Sequence, residues 1–122
     1  MTKPSLLLME DEVLVAMMME DELTDLGWDV AGSFAEVRPA LDWLAARAEG
    51  LTAAILDINL NGEMVFPVAA ALKARGTPFL FLTGYTSPVG AEVFEAPILN
   101  KPFDAPHLEA TLRRLIEGGG AA

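Results

Sequence analysis

The chain has 122 residues, 52% hydrophobic and 21% charged, with no cysteine and one histidine. That is room for one globular domain, and it excludes disulfides, cysteine-ligated zinc, thiol chemistry and a histidine-rich metal site. Eighteen acidic residues against eight basic ones leave a net charge of −10, which argues against nucleic acid or an anionic membrane as partner.

In chain order, the apolar run Ser5–Met9 stops abruptly at Glu10-Asp11-Glu12 and predicts a strand buried on both faces. Val13–Leu26 follows as a helix with Ala16, Met19, Leu23 and Leu26 at helical spacing and Gly27 as its stop. Trp28–Gly32 reads as a second strand. Ser33-Phe34-Ala35-Glu36 has the form of a capping box, and Val37, Leu41, Leu44 and Ala48 support the helix after it, although Pro39 sits awkwardly inside. Leu51–Ile58 is a third strand without polar alternation, Asn59–Gly62 a turn, and Met64–Arg75 a helix that tolerates Pro67 in its first turn and ends at Gly76. Pro78–Leu82 is a fourth strand. Thr83–Glu95 holds Gly84, Pro88 and Gly90, so any helix there is short. Pro97–Leu99 is a brief fifth strand. Asp104 caps a last helix carrying Leu108, Leu112, Leu115 and Ile116 on one face, and 118–122 reads as a frayed tail.

Five continuous apolar strands alternating with helices indicate an α/β fold with a parallel sheet covered on both faces. The expected organisation is a single domain over 1–122, with its core at about 5–117. The longest apolar run, Val13–Met19, is far short of the ~20 residues a bilayer span requires. No secretory signal is visible at the start, so the expected location is the cytoplasm.

In open parallel sheets, sites form outside the carboxyl ends of the strands. There the sequence places Glu10, Asp11 and Glu12 after the first strand, and Asp57 and Asn59 after the third. Thr83-Gly84-Tyr85 follows the fourth, and Asn100-Lys101-Pro102 the fifth. Clustered acids repel unless something offsets them, and oxygen-only ligation suits a hard divalent cation that also binds phosphate oxygens. A lysine and a hydroxyl at the same edge complete the parts of a phosphoryl-transfer site, in which a carboxylate can itself be the nucleophile. Each feature also has a plainer reading: acids at a helix start, a turn aspartate, a turn threonine, a surface lysine. His107, in the first turn of the last helix, reads as an exposed residue outside the cluster.

Met9-Glu10-Asp11-Glu12, Ile55-Leu56-Asp57-Ile58-Asn59-Leu60, Phe81-Leu82-Thr83-Gly84 and Lys101-Pro102-Phe103 resemble, in order and spacing, the receiver domains of two-component response regulators. The resemblance runs from about Ser5 to Ile116. It implies a flavodoxin-like (βα)5 fold with strand order 2-1-3-4-5. Asp57 would be the phosphoacceptor. Glu10, Asp11, Asp57 and the backbone carbonyl of Asn59 would hold Mg²⁺. Thr83 would bond a phosphoryl oxygen, and Lys101 would pair with the phosphoryl group, next to a cis bond to Pro102. Glu12 would face solvent or cap the first helix. The implied partners are a histidine kinase or histidine phosphotransfer protein and a downstream protein target. The chain itself would catalyse only its own phosphorylation and dephosphorylation, as a monomer or a weak phosphorylation-dependent dimer.

The resemblance implies docking of the kinase on the first helix and the loop after the fifth strand, hence Leu14, Met18, Pro102 and Phe103. For Leu14 and Met18 partial burial is the competing reading, while methionine's adaptability to varied apolar contacts favours a partner surface. Many receivers carry an aromatic switch residue three positions before the lysine; here that position is Ile98. Pro78–Tyr85 is similar to a variant subgroup with a Phe-Ala-Thr-Gly-x-Tyr-type signature, which makes Tyr85 a switch candidate and Thr83–Glu95 a segment expected to order on phosphorylation. A stand-alone regulator is the leading reading. The alternatives are a receiver excised from a hybrid kinase or larger regulator, a phosphate sink, an unphosphorylated interaction module and a small phosphate-ester hydrolase, the last lacking material for a substrate pocket.

Overall fold

The computed structural model describes residues 4–84 and 90–119. The elements run β1 (Ser5–Met9), α1 (Val13–Asp25), β2 (Asp29–Phe34), α2 (Val37–Ala46), β3 (Ala53–Asp57), β4 (Asn59–Leu60), β5 (Glu63–Met64), α3 (Phe66–Ala74), β6 (Phe79–Thr83), a 3-10 turn (Ala91–Phe94), β7 (Ile98–Asn100) and α4 (Ala105–Gly119). β2-β1-β3-β6-β7 form one parallel sheet in that spatial order, and β4-β5 form a separate antiparallel hairpin. The five sheet strands therefore stand in the order second-first-third-fourth-fifth.

Alternation along each strand divides the core in two. Leu7, Met9, Ala54, Leu56, Phe79 and Phe81 face α2, α3 and the 3-10 turn. Leu6, Leu8, Ala53, Ile55, Leu80 and Leu82 face α1 and α4. With helices on both faces, no central strand shows a polar side, which is why each reads as an unbroken apolar run.

Several local expectations are corrected. Ser33 and Phe34 do not open a helix: β2 continues through them because Phe34 pairs with Met9 and accepts the Glu10 N–H at 3.0 Å. Sheet pairing with a central strand outcompetes a local cap. α2 then starts at Val37 after Glu36, which supplies no side-chain cap, and ends at Ala46, before Ala48. Pro39 falls at its third residue, where the missing N–H has no intrahelical partner to lose. The expected turn at 59–62 is the first half of the β4–β5 hairpin, closed by Asn61 and Gly62, both with positive φ (55° and 97°). The third helix starts two residues later than Met64, with Pro67 in its first turn.

Among the described residues there are four α-helices, not the five of a full (βα)5 repeat: the β6–β7 crossover contains only the 3-10 turn. Phe94 holds that turn on the sheet, its ring 5.9 Å from Phe79, 5.8 Å from Phe81 and stacked 5.9 Å from Phe66. At the other end of the chain Gly118 belongs to α4, not to a tail. Asp104 caps α4 as expected, accepting the His107 N–H at 2.8 Å. No helix among the described residues is long and apolar enough to cross a membrane.

Candidate functional site

The parallel sheet brings four strand ends to one edge, and its hydrogen-bond ladder carries on past the last strand residues. Glu10 N–H donates to Phe34 C=O at 3.0 Å, Ile58 N–H to Leu82 C=O at 3.0 Å and Lys101 N–H to Thr83 C=O at 2.8 Å. The backbones that bear Glu10, Asp57, Thr83 and Lys101 are thereby held by neighbouring strands, not by loops. A rigid frame of this kind is what a site dependent on positioning requires.

Glu10, Asp57 and Thr83 are buried, at 3%, 5% and 2% exposure, while Asp11 and Lys101 are half-buried. Lys101 Nζ donates to Asp57 Oδ2 at 2.9 Å and to Glu10 Oε1 at 3.4 Å, and Glu12 N–H donates to Glu10 Oε2 at 3.1 Å. Glu10, Asp11 and Asp57 each offer a carboxylate oxygen, all within 4.8 Å of one another. Three carboxylates thus face one ammonium. Burial pushes Asp57 up from the ordinary carboxylate value, with the Asp11 charge adding to it, against the downward pull of Lys101. Burial likewise pushes Glu10 up, with the Asp57 charge adding, against the Glu12 N–H and Lys101. Burial opposes the charge of Lys101, but its bond and attraction to Asp57, together with Glu10, outweigh that and raise it. The cluster is short of positive charge.

A hard divalent cation fits that deficit: the donors are all oxygens, they converge, and a second positive charge would offset the repulsion that burial magnifies. The cleft above them has a volume of about 500 Å³ and is lined by Asp11, Asp57, Asn59, Thr83, Gly84 and Lys101, among others. Among the described residues, a Cβ at Gly84 would meet nothing within 4 Å. A cavity of about 580 Å³ at the opposite end of the strands is lined by Thr77, Phe79, Phe94, Pro97 and Leu115, and the acid cluster found among the described residues lies away from it.

The remaining sequence-derived residues distribute as follows. Asn59 lines the cleft, with its side-chain Oδ1 accepting the Gly62 N–H at 2.7 Å. The Lys101–Pro102 bond is cis. Glu12 is exposed at the start of α1 and makes no cap bond. Leu14 and Met18 are exposed, at 76% and 61%. Pro102 is exposed too, whereas Phe103 is half-buried against the α1/α4 core, so much of its surface is already used. Ile98 is exposed on β7, with no inward ring at that position. Tyr85, and with it 85–89 of the segment expected to order on phosphorylation, lies outside the described residues. His107 is exposed and outside the cluster.

Two features escaped the sequence reading. Val13 and Met17 are exposed beside Leu14 and Met18. The signal was the apolar run Val13–Met19 itself, which wraps the whole helix circumference and cannot all face one core. The hairpin tip Asn61-Gly62 forms a wall of the cleft; an Asn-Gly pair is the strongest short-range hairpin signal, which a reading of 59–62 as a plain turn misses.

Neither a family model nor a curated protein sequence matches the chain. Solved structures do. SdrG from Sphingomonas melonis Fr1 is 39% identical, over 95% of this chain and 99% of that one, with a TM-score of 0.79. The chemotaxis protein CheY4 of Vibrio cholerae is 27% identical over 93% of this chain and 99% of its own, with a TM-score of 0.79. A response regulator receiver protein from Sinorhizobium medicae WSM419, 21% identical over 96% of this chain and 97% of its own with a TM-score of 0.80, shares the fold. With the strand order, the acid cluster and the lysine already in place, these likenesses identify the chain as a member of the receiver-domain family of response regulators.

Proposed function

We propose that this receiver acts as a stand-alone cytoplasmic response regulator. It accepts a phosphoryl group on Asp57 from a histidine kinase or histidine phosphotransfer protein and signals through contacts with other proteins. The observation that carries the reading is the pairing of buried Asp57 with Lys101 at 2.9 Å beside two further carboxylates, at the mouth of an open cleft. An Asp57 carboxylate oxygen attacks phosphorus, the bond from phosphorus to the donor's imidazole nitrogen breaks, and the imidazole leaves with the electron pair and takes up a proton. Lys101 then faces a phosphoryl oxygen as a point charge, and the Thr83 hydroxyl, at the end of β6, donates to another. Glu10, Asp11, Asp57 and the Asn59 carbonyl would hold Mg²⁺, which when bound neutralises charge on the transferred group. No further chemistry is proposed beyond this phosphorylation and its reversal by water.

The donor surface follows from α1. Val13, Leu14, Met17 and Met18 expose apolar area on the first turns after the acid cluster, where a partner presenting a histidine to Asp57 must pass. Phosphorylation by acetyl phosphate with Mg²⁺, read by intact mass, tests the central step. Wild type gains one phosphoryl adduct and Asp57→Ala none. An unlabelled wild type, or an adduct that persists in Asp57→Ala, overturns the assignment.

A further inference from the structure

The hairpin that follows Asp57 is tied to a helix far from it in sequence. Glu63 Oε1 accepts the Val37 N–H at 3.2 Å, and Val37 is the first residue of α2. The residue in the capping position, Glu36, makes no side-chain cap bond, so the carboxylate that caps α2 comes from β5, 26 residues away. A carboxylate at a helix N-terminus also meets the positive end of the helix dipole. The hairpin is short, with two residues per strand, and an isolated pair of that size is marginal in water. Leu60 anchors β4 in the core that also holds Val37, and the hydrogen bonds from Gly62 N–H to Asn59 Oδ1 and from Val65 N–H to Ile58 C=O at 2.9 Å are internal to the β3–α3 connection. The Glu63 bond ties the hairpin to an element outside that connection.

The same hairpin forms a wall of the acid cleft through Asn59, Asn61 and Gly62. We propose that Glu63 is a positioning residue for the cation site: by capping α2 it holds the hairpin, and with it the Asn59 backbone carbonyl, where a divalent cation bound to Glu10, Asp11 and Asp57 would need its protein carbonyl. The proposal rests on the cation-assisted reading above and adds a residue that touches neither the cation nor the phosphoryl group. It joins the phosphorylation site to the N-terminus of α2.

Calorimetric titration of the unphosphorylated chain with Mg²⁺ at 0.15 M salt tests it, using wild type, Glu63→Ala and Glu63→Gln. Glu63→Ala removes the acceptor and the charge, whereas Glu63→Gln removes the charge and keeps an acceptor oxygen. The Kd for Mg²⁺ is expected to rise about fivefold in Glu63→Ala, the effect of one lost hydrogen bond, and by less than about twofold in Glu63→Gln. Acetyl phosphate labelling at saturating Mg²⁺ should reach the wild-type rate in both variants. An unchanged Kd in Glu63→Ala, or equal weakening in both variants, overturns the proposal, the second because it assigns the effect to charge alone. Wild type that does not bind Mg²⁺ overturns the cation site as well, which separates the two failures.

Discussion

α1 and α4 lie on the same face of the sheet and bury leucines in the same core, yet they are built on different terms. α4 has a capping aspartate, a buried stripe through Leu108 and Leu112, and a Glu109–Arg113 pair one turn apart at 3.4 Å. It also fastens β2's approach, with Trp28 Nε1 donating to Glu109 at 3.1 Å. α1 has no side-chain cap, exposes Val13, Leu14, Met17 and Met18, and carries Glu22 and Asp25 in its last turn, where the helix dipole disfavours acids. α4 is anchored by its cap and its buried stripe, while α1 leaves apolar surface uncovered where it borders the acid cleft. Departures from locally favourable design concentrate at functional surfaces.

The widest gap between the two helices should be in folding stability. Leu112→Ala empties a fully buried site and is expected to cost about 2–5 kcal/mol, whereas Leu14→Ala should stay within about 0.5 kcal/mol, both read by urea denaturation. Equal losses would mean that the exposed face of α1 is supported by the fold after all. The contrast should invert in phosphotransfer. Leu14→Glu or Met18→Glu is expected to slow transfer from a histidine donor about tenfold while leaving acetyl phosphate labelling unchanged, and equal loss of both would remove the docking role. Capping gives a smaller effect in the first direction: Asp104→Ala should cost about 1 kcal/mol, and Glu12→Ala almost nothing, since Glu12 makes no cap bond. Asp25→Lys should stabilise by about 0.3–1 kcal/mol by reversing the charge at the end of α1, seen as a raised Tm that salt diminishes.

The acids at the entrance to α1 sharpen the comparison through pH. Glu10 and Asp57 titrate above the ordinary carboxylate range in the fold, so the native state holds their protons more tightly than the unfolded chain does. Their contribution to stability is therefore present at low pH and is lost as pH rises through the raised values. The raised Lys101 keeps its contribution until strongly alkaline pH. Metal-free Glu10→Gln should accordingly melt above wild type at pH 7, with the gap closing as pH falls into the carboxylate range. Mg²⁺ should narrow the gap from the other side by stabilising wild type.

The architecture and the chemical edge of the molecule are legible in the residues. Buried parallel strands leave unbroken apolar runs, and Glu10, Asp57, Thr83 and Lys101 each stand at the end of one, so their meeting follows from the topology alone. Asp104 and Pro67 mark their helix starts because a cap and a first-turn proline act within a few residues. The misreadings share a cause. Ser33-Phe34 resembles a helix start until β1 pairs with it, and 59–62 resembles a turn until Glu63 and Met64 fold back on it.

From its own order of residues, then, the chain determined five sheet strands, their burial and the set of groups at one edge, since these depend on periodicity and on neighbours along the backbone. Only the folded structure decided which acids share the lysine, which faces of α1 stay uncovered and that a carboxylate from β5 caps α2. Those are contacts between segments distant in sequence, and their energies arise from desolvation and packing that no local pattern encodes.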